Sequence, residues 1–159
     1  MQSQTTFETA RGISSIDISR GHALIVVSNI SENENGKQKI SALKAIKQSG
    51  ISMDFLKLSA DGFSFIVPEE AAQSAKDALC KHNFNVTLLK DRAILSVYAP
   101  NIRDESGLVA RIAQRVVQTG AYIDSLGDMH SQVLIVLDSK FAQQAKNSLE
   151  SLIGKVEAI

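Results

Sequence analysis

The chain has 159 residues, 44% of them apolar, and 17 Lys+Arg balance 17 Asp+Glu to leave a formal charge of zero and a pI near 6.8. This is the composition of one or two small globular domains, and it lacks the broad positive field on which nucleic-acid and anionic-membrane binders depend. The longest apolar run, residues 23–27, is far short of the roughly 20 residues of a membrane-spanning helix, and residues 1–10 carry no apolar leader core, so a cytoplasmic protein is expected.

Sliding the sequence along itself by 70 residues aligns one element after another. Residues 23–27 fall on 93–97, Gly50 on Gly120, Asp54 on Asp124, and 65–67 on 135–137, while Ala72, Ala75 and Leu79 land on Ala142, Ala145 and Leu149. A unit of this length is close to the lower size of a domain, which makes the chain two copies of one small domain.

The elements follow in chain order. Residues 13–18 form an apolar-alternating strand candidate, and 24–28 a β-rich apolar run followed by the polar stretch 29–36, where Asn33 or Asn35 is placed to cap a helix. Ile40, Leu43 and Ile46 at helical spacing mark that helix, and Gly50 supplies its left-handed stop. The period then falls to two in residues 51–56 and 63–67, which flank the turn signal 59–62 and predict an antiparallel hairpin. Pro68, Glu69 and Glu70 open a second helix with Ala71, Ala75, Ala78 and Leu79 as its apolar stripe. Residues 84–89 are a further strand candidate. In the second copy Ser106 is expected to cap a helix that turns Leu108, Ile112 and Val116 inward and Arg111 and Arg115 to another face, and Gly120 ends it.

The order βαββαβ predicts an α+β fold of two ferredoxin-like units. The expected division is a tail at 1–12, a first unit at 13–90 and a second at 91–159. Three segments compete to close two sheets: 13–18, 84–89 and 155–159. Either the N-terminal strand closes the second sheet or the units trade strands, with 155–159 left as a short extra edge.

This arrangement, with Ile13-Ser14-Ser15-Ile16-Asp17 leading in, Gly50-Ile51-Ser52-Met53-Asp54 opening one second strand and Gly120-Ala121-Tyr122-Ile123-Asp124 the other, resembles the paired ACT domains of aspartate kinases (aspartokinases). The resemblance spans about residues 13–152 and leaves the kinase catalytic domain without a counterpart. It implies allosteric regulation rather than catalysis, no cofactor, binding of a free amino acid such as lysine or threonine, a homodimer, and a catalytic kinase domain or subunit as a possible partner. In that family the loop between first strand and first helix often reads Asp-Xaa-Pro-Gly. The second copy offers Asn101, Asp104, Ser106 and Gly107 there, with Ser106 in place of proline, and the first copy offers Asn33, Asn35 and Gly36 in a loop one residue longer. Ser52 and Tyr122 stand where family members often carry an asparagine early in the second strand. The implied ligand residues are therefore these seven together with Ser52 and Met53 in the first copy and Tyr122, Ile123 and Asp124 in the second.

The chemistry of an amino acid agrees with such a loop: its ammonium wants a carboxylate or carbonyls, and its carboxylate wants backbone N–H groups at a helix start that glycine lets it approach. The edge of the second strand is expected to complete the pocket across an interface. Competing readings are weaker in residue terms. Asp54 and Asp124 repeat by symmetry rather than pairing as acid and base, and His22, His82 and His130 have no metal-ligand spacing. Cys80 cannot form an internal disulfide and reads as a small apolar filler. Residues 62–65, Gly-Phe-Ser-Phe, faintly echo an RNA-binding motif, which requires Phe63 and Phe65 to be exposed. A ligand-free oligomerisation or adaptor module, pairing through open strand edges, is the alternative class.

Overall fold

A computed structural model describes residues 12–30, 35–100, 102 and 105–154. Its elements are β1 (Ser15–Ser28), α1 (Asn35–Gln48), β2 (Asp54–Leu58), β3 (Phe63–Pro68), α2 (Ala72–Cys80), β4 (Asn85–Tyr98), α3 (Leu108–Val117), β5 (Ile123–Asp128), β6 (Gln132–Asp138) and α4 (Ser139–Glu150). The chain forms two compact units, one of Arg20–Arg92 and one in which Ala93–Ile159 is joined by the N-terminal segment through Ser19. Both boundaries fall inside long strands, β1 and β4.

In the Arg20–Arg92 unit the strand order is β2-β3-β1-β4. β1 pairs antiparallel with β3 from His22↔Pro68 to Val27↔Phe63, and β3 pairs with β2 through the hairpin closed by Ser59 N–H donating to the Gly62 carbonyl (3.0 Å). Every second residue of this sheet enters one core, where Ala23, Ile25, Val27, Phe63, Phe65 and Val67 meet Ala42 and Ile46 of α1 and Ala72, Ala75 and Leu79 of α2. The Phe63 and Phe65 rings stack at 5.9 Å inside it, so the exposed aromatics that an RNA-binding sheet needs are absent from this pair. The buried face of α1 differs from the expected one. Ala42 and Ile46, one turn apart, point inward with Leu43 against them, whereas Ile40 is 55% exposed. At about 100° per residue, position 40 lies about 120° around the helix from 46, outside the stripe. In α2 the inward alanine is likewise Ala72 rather than Ala71, because Glu69–Ala71 form a 3-10 turn and the α-helix starts only after it. Cys80 follows Leu79 around the helix and is exposed, not a core filler.

α2 ends in a Schellman arrangement. Phe84 N–H reaches the Leu79 carbonyl (3.4 Å), Asn83 N–H the Cys80 carbonyl (3.0 Å), and Asn83 takes the left-handed backbone (φ 61) that asparagine tolerates better than most residues. Phe84 then packs with Leu79 against the core and leads into β4.

The other unit repeats this plan in the order β1-β4-β6-β5. Its closing strand is the start of β1: Ser14 N–H donates to the Tyr98 carbonyl (2.8 Å), and Ile13 and Ile16 are buried with Ala93, Leu95 and Val97. Leu108, Ile112 and Val116 of α3 and Ala142, Ala145 and Leu149 of α4 cover them. The N-terminal strand thus completes the sheet of the C-terminal copy, while the first copy closes its own with the start of β4. The expected edge at 155–159 lies outside the described residues.

The long strands also repeat a detail. Gly21 (φ 79) and Asp91 (φ 53), 70 residues apart, are left-handed within otherwise extended backbone, each next to a unit boundary. Helix stops Gly50 (φ 68) and Gly120 (φ 84) match as well.

Gly62 is required for another reason. A Cβ there would overlap the Val27 carbonyl oxygen and come within 3.2 Å of Ser28 Cα, backbone atoms that cannot swing aside. Gly36 in the first turn of α1 has nothing within 4 Å. Gly62→Ala is therefore expected to lower stability by about 1–3 kcal/mol, the usual cost of overpacking. Gly36→Ala should instead raise it by about 0.4–1 kcal/mol through the unfolded chain. Urea denaturation of the two variants tests the pair.

Candidate functional site

The first candidate surrounds the start of α3. The chain leaves β4 with Ala99 N–H donating to the Ser131 carbonyl (2.8 Å), and Ile102 N–H then bonds back to the Ala99 carbonyl (3.2 Å). Both side chains are buried in the core, which pins the loop to the sheet. A second turn follows, from Leu108 N–H to the Glu105 carbonyl (3.3 Å), and brings the chain to Gly107 at the helix N-cap with φ 78. Ser106 is exposed and does not cap: among the described residues no side chain caps this helix start. The reason is geometric, since Gly107, not Ser106, occupies the cap position and has no side chain to offer. A Cβ at Gly107 would meet nothing within 4 Å among the described residues, and the helix start it caps carries the positive end of the helix dipole.

Glu105, which the sequence pattern passed over, is the charged group of this loop among its described residues. Its side chain is 12% exposed, Oε1 pairs with the Arg111 guanidinium, and Oε2 is buried without a hydrogen-bond partner among the described residues. Asn101 and Asp104 lie outside the described residues. Only the run of four polar residues, 103–106, before Gly107 could have flagged Glu105, and it does not say which carboxylate turns inward.

Tyr122 is 78% exposed just before β5, the edge strand of its sheet. Ile123 packs against the core, and Asp124 sits in a register shift between the pairs Ile123↔Leu137 and Ser125↔Val136. These residues follow the C-terminal end of α3, whereas Ser106 and Gly107 precede its start. The ten residues of α3 hold the two groups about 15 Å apart at about 1.5 Å per residue. Within one unit they do not meet.

The first copy has the same layout. Gly36 is exposed in the first turn of α1, Asn35 is the first residue of that helix, and Asn33 lies outside the described residues. Ser52 is exposed four residues past the end of the helix, and Met53 packs against the core. Asp54 opens β2 at an exposed edge position and belongs to the other unit from Asp124. No group of three or more His, Cys, Asp or Glu residues able to hold a metal exists among the described residues. No helix of the described residues is long and apolar enough to cross a membrane.

Two clefts lie elsewhere. One of about 380 Å³ runs along α3 between Arg111 and Gln118. A larger one, about 650 Å³, lies in the Arg20–Arg92 unit between the end of β1, the first two turns of α1 and the turn 82–85, and among the described residues its lining includes none of the sequence-derived ones.

Comparison with known proteins places the fold. No protein-family model and no curated protein sequence matches the chain. Among solved structures, the ligand-free regulatory subunit of aspartate kinase from Thermus thermophilus superposes with a TM-score of 0.79 at 19% identity, covering 89% of this chain and 97% of that one. The regulatory subunit from Thermus flavus gives 0.80 at 18% identity, with 89% and 98% covered. E. coli aspartokinase III in complex with lysine and aspartate gives 0.72 at 13% identity, over 91% of this chain and 34% of that one. The chain therefore has the tandem ACT-like fold of aspartate kinase regulatory subunits, and at these identities the likeness is one of fold.

The Glu105–Arg111 pair yields a test. Glu105→Gln should cost about 1 kcal/mol, a value reduced from that of a fully buried pair because Arg111 is partly exposed. Arg111→Gln should cost a similar amount and the double variant less than the sum, as read by urea denaturation.

Proposed function

We propose that the chain is an amino-acid-sensing regulatory module with no catalysis of its own. The observation that carries the reading is the start of α3: a left-handed glycine at the N-cap, at the positive end of the helix, two residues after a largely buried carboxylate, Glu105. A ligand carboxylate would approach the backbone at Gly107, and the ammonium would be held by loop carbonyls and carboxylates, Asp104 among them. Because α3 separates this loop from Tyr122, Ile123 and Asp124, a complete pocket calls for the edge strand of a second copy of the chain, which makes the working form a homodimer. The equivalent residues Asn33, Asn35, Gly36, Ser52 and Met53 would form the first copy's version. The ligand then stabilises one arrangement of the dimer and so alters what an associated kinase domain or subunit experiences. The fold it shares with aspartate kinase regulatory subunits supports this role, and the lysine complex of E. coli aspartokinase III makes lysine the first amino acid to try.

The second reading, a ligand-free adaptor, draws on Leu56 and Leu58, which are exposed on the edge strand β2 and would gain apolar burial by pairing.

Thermal unfolding against each of the twenty amino acids at millimolar concentration separates the two. A ligand at about 100 times its dissociation constant adds about 2.7 kcal/mol to the folded state, a shift of several degrees. Gly107→Val, which forces a β-branched residue into a left-handed conformation, should abolish the response while the dimer persists. Gly120→Ala is the control, since it imposes comparable strain at the other end of α3 and should keep the response. No shift with any amino acid favours the adaptor.

A further inference from the structure

We propose that the outward face of α1 docks an acidic segment of a partner protein, with Lys44 and Lys47 as its ion-pairing groups and Ile40 as its apolar contact. The chain as a whole is neutral, yet the 14 residues of α1 hold four lysines and no Asp or Glu. Lys39 is used internally. Its ammonium donates to the Ser59 carbonyl and to that of Ala60 (3.4 Å), which ties the helix to the turn of the β2–β3 hairpin. The other three, Lys37, Lys44 and Lys47, fall with Ile40 at helical spacing, all exposed along one stripe turned away from the buried Ala42 and Ile46. Among the described residues neither Lys44 nor Lys47 makes an ion pair. Leu58 widens the apolar part of this surface: it pairs with buried Phe63, so it lies on the sheet face that the helices cover, just before the turn that Lys39 holds, and it is 64% exposed.

Stability does not account for the stripe. Lys47 suits the negative end of α1, but Lys37 in the first turn opposes the helix dipole, and Lys44 and Lys47, one turn apart, repel each other. The fold does not require it either. In the second copy Lys37, Lys39, Lys44 and Lys47 become Gly107, Val109, Gln114 and Val117, while the inward Ala42 and Ile46 stay apolar as Ile112 and Val116. Glu32 and Glu34 precede α1 in sequence and lie outside the described residues. Lys44 and Lys47 stand in the second half of the helix, more than about 10 Å along its axis from its start and so beyond the roughly 8 Å over which charges act at physiological salt. The class of partner follows from what surrounds the charges. A membrane surface calls for a wide apolar face, and that of α1 is turned into the core. A nucleic acid calls for exposed rings to stack on, and α1 has no aromatic residue while Phe63 and Phe65 are buried. Carboxylates along a polypeptide, with an apolar side chain between them, match two ammonium groups beside Ile40 and Leu58.

The test is an amide NMR titration of the full chain with a synthetic peptide of Glu-Glu-Leu repeats, run beside a poly-uridine oligonucleotide and phosphatidylserine vesicles. Saturable shifts centred on Ile40, Lys44, Lys47 and Leu58, weakening as sodium chloride is raised, are expected for the peptide. Lys44→Glu combined with Lys47→Glu should weaken its binding by about tenfold or more, and Ile40→Ser should weaken it several-fold. All three side chains are exposed, so the urea midpoint should hold. The neutral pair Lys44→Gln and Lys47→Gln should weaken binding too, but less than charge reversal. Lys81→Glu with Lys90→Glu, an equal change of net charge at other exposed lysines, should leave the affinity unchanged. No saturable binding of the peptide, an equal loss in the two reversal variants, or tighter binding of the oligonucleotide or the vesicles would overturn the proposal.

Discussion

A βαββ segment cannot bury its sheet without a fourth strand beside its first, and in this chain that need is met twice by different means. The N-terminal copy uses its own following segment, where Val86 and Leu88 pack against the core. The C-terminal copy has no such segment among the described residues and takes the strand at the front of the chain, inserting Ile13 and Ile16 beside Leu95 and Val97. Without that strand, the edge of β4 would expose a row of unpaired N–H and C=O groups above an open core, which is the condition for aggregation. The first residues of the described chain are therefore part of the last domain's folding. The unit boundaries fall within β1 and β4 rather than in loops, and each strand passes its boundary beside one left-handed residue, Gly21 or Asp91.

The same helices that cover the sheets decide where a ligand can bind. In a βαββαβ unit the first helix begins at one end of the sheet and delivers the chain to the other, so the loop before it and the strand after it are separated by its full length. A site that needs both is incomplete in one unit. This is a physical reason for a regulatory module of this fold to work as an assembly: ligand binding and subunit association become linked equilibria, and each must strengthen the other by the same factor.

Much of this architecture was legible in the sequence. The 70-residue repeat, the change from helical to alternating period and the glycines at 50 and 120 each reflect a local rule strong enough to survive tertiary context. What was not legible depends on which neighbour a face meets. Ile40 and Ile46 both sit in an apolar pattern, but only the packing of α1 on its sheet selects 46 with Ala42. Ser106 looks like a cap by residue type, yet the helix begins one residue later. Gly-Phe-Ser-Phe reads equally as an exposed stacking surface or a buried strand, and the pleat turns both rings into the core. The cleft between β1, α1 and the turn 82–85 had no motif, because its residues come from three segments that only folding brings together. The one signal available was the failure of the repeat at 29 and 99 and at 82 and 152.

The repeat holds in the core and fails in the loops, for a reason of packing. The equivalent core residues Ala23 and Ala93, Ile25 and Leu95, Val27 and Val97, and Leu79 and Leu149 are all essentially inaccessible and identical or nearly matched in volume. Volume-conserving exchange costs least at such positions, which favours their staying alike. The loops at the ends of the sheets carry no such constraint. There the copies have parted: one has a turn pinned by Ala99 and Ile102 that presents Gly107 beside a carboxylate paired with arginine, and the other a cleft lined by lysine, histidine and amides. The core that both copies share holds these loops on equivalent frames, so their residues could diverge without cost to the packing beneath them.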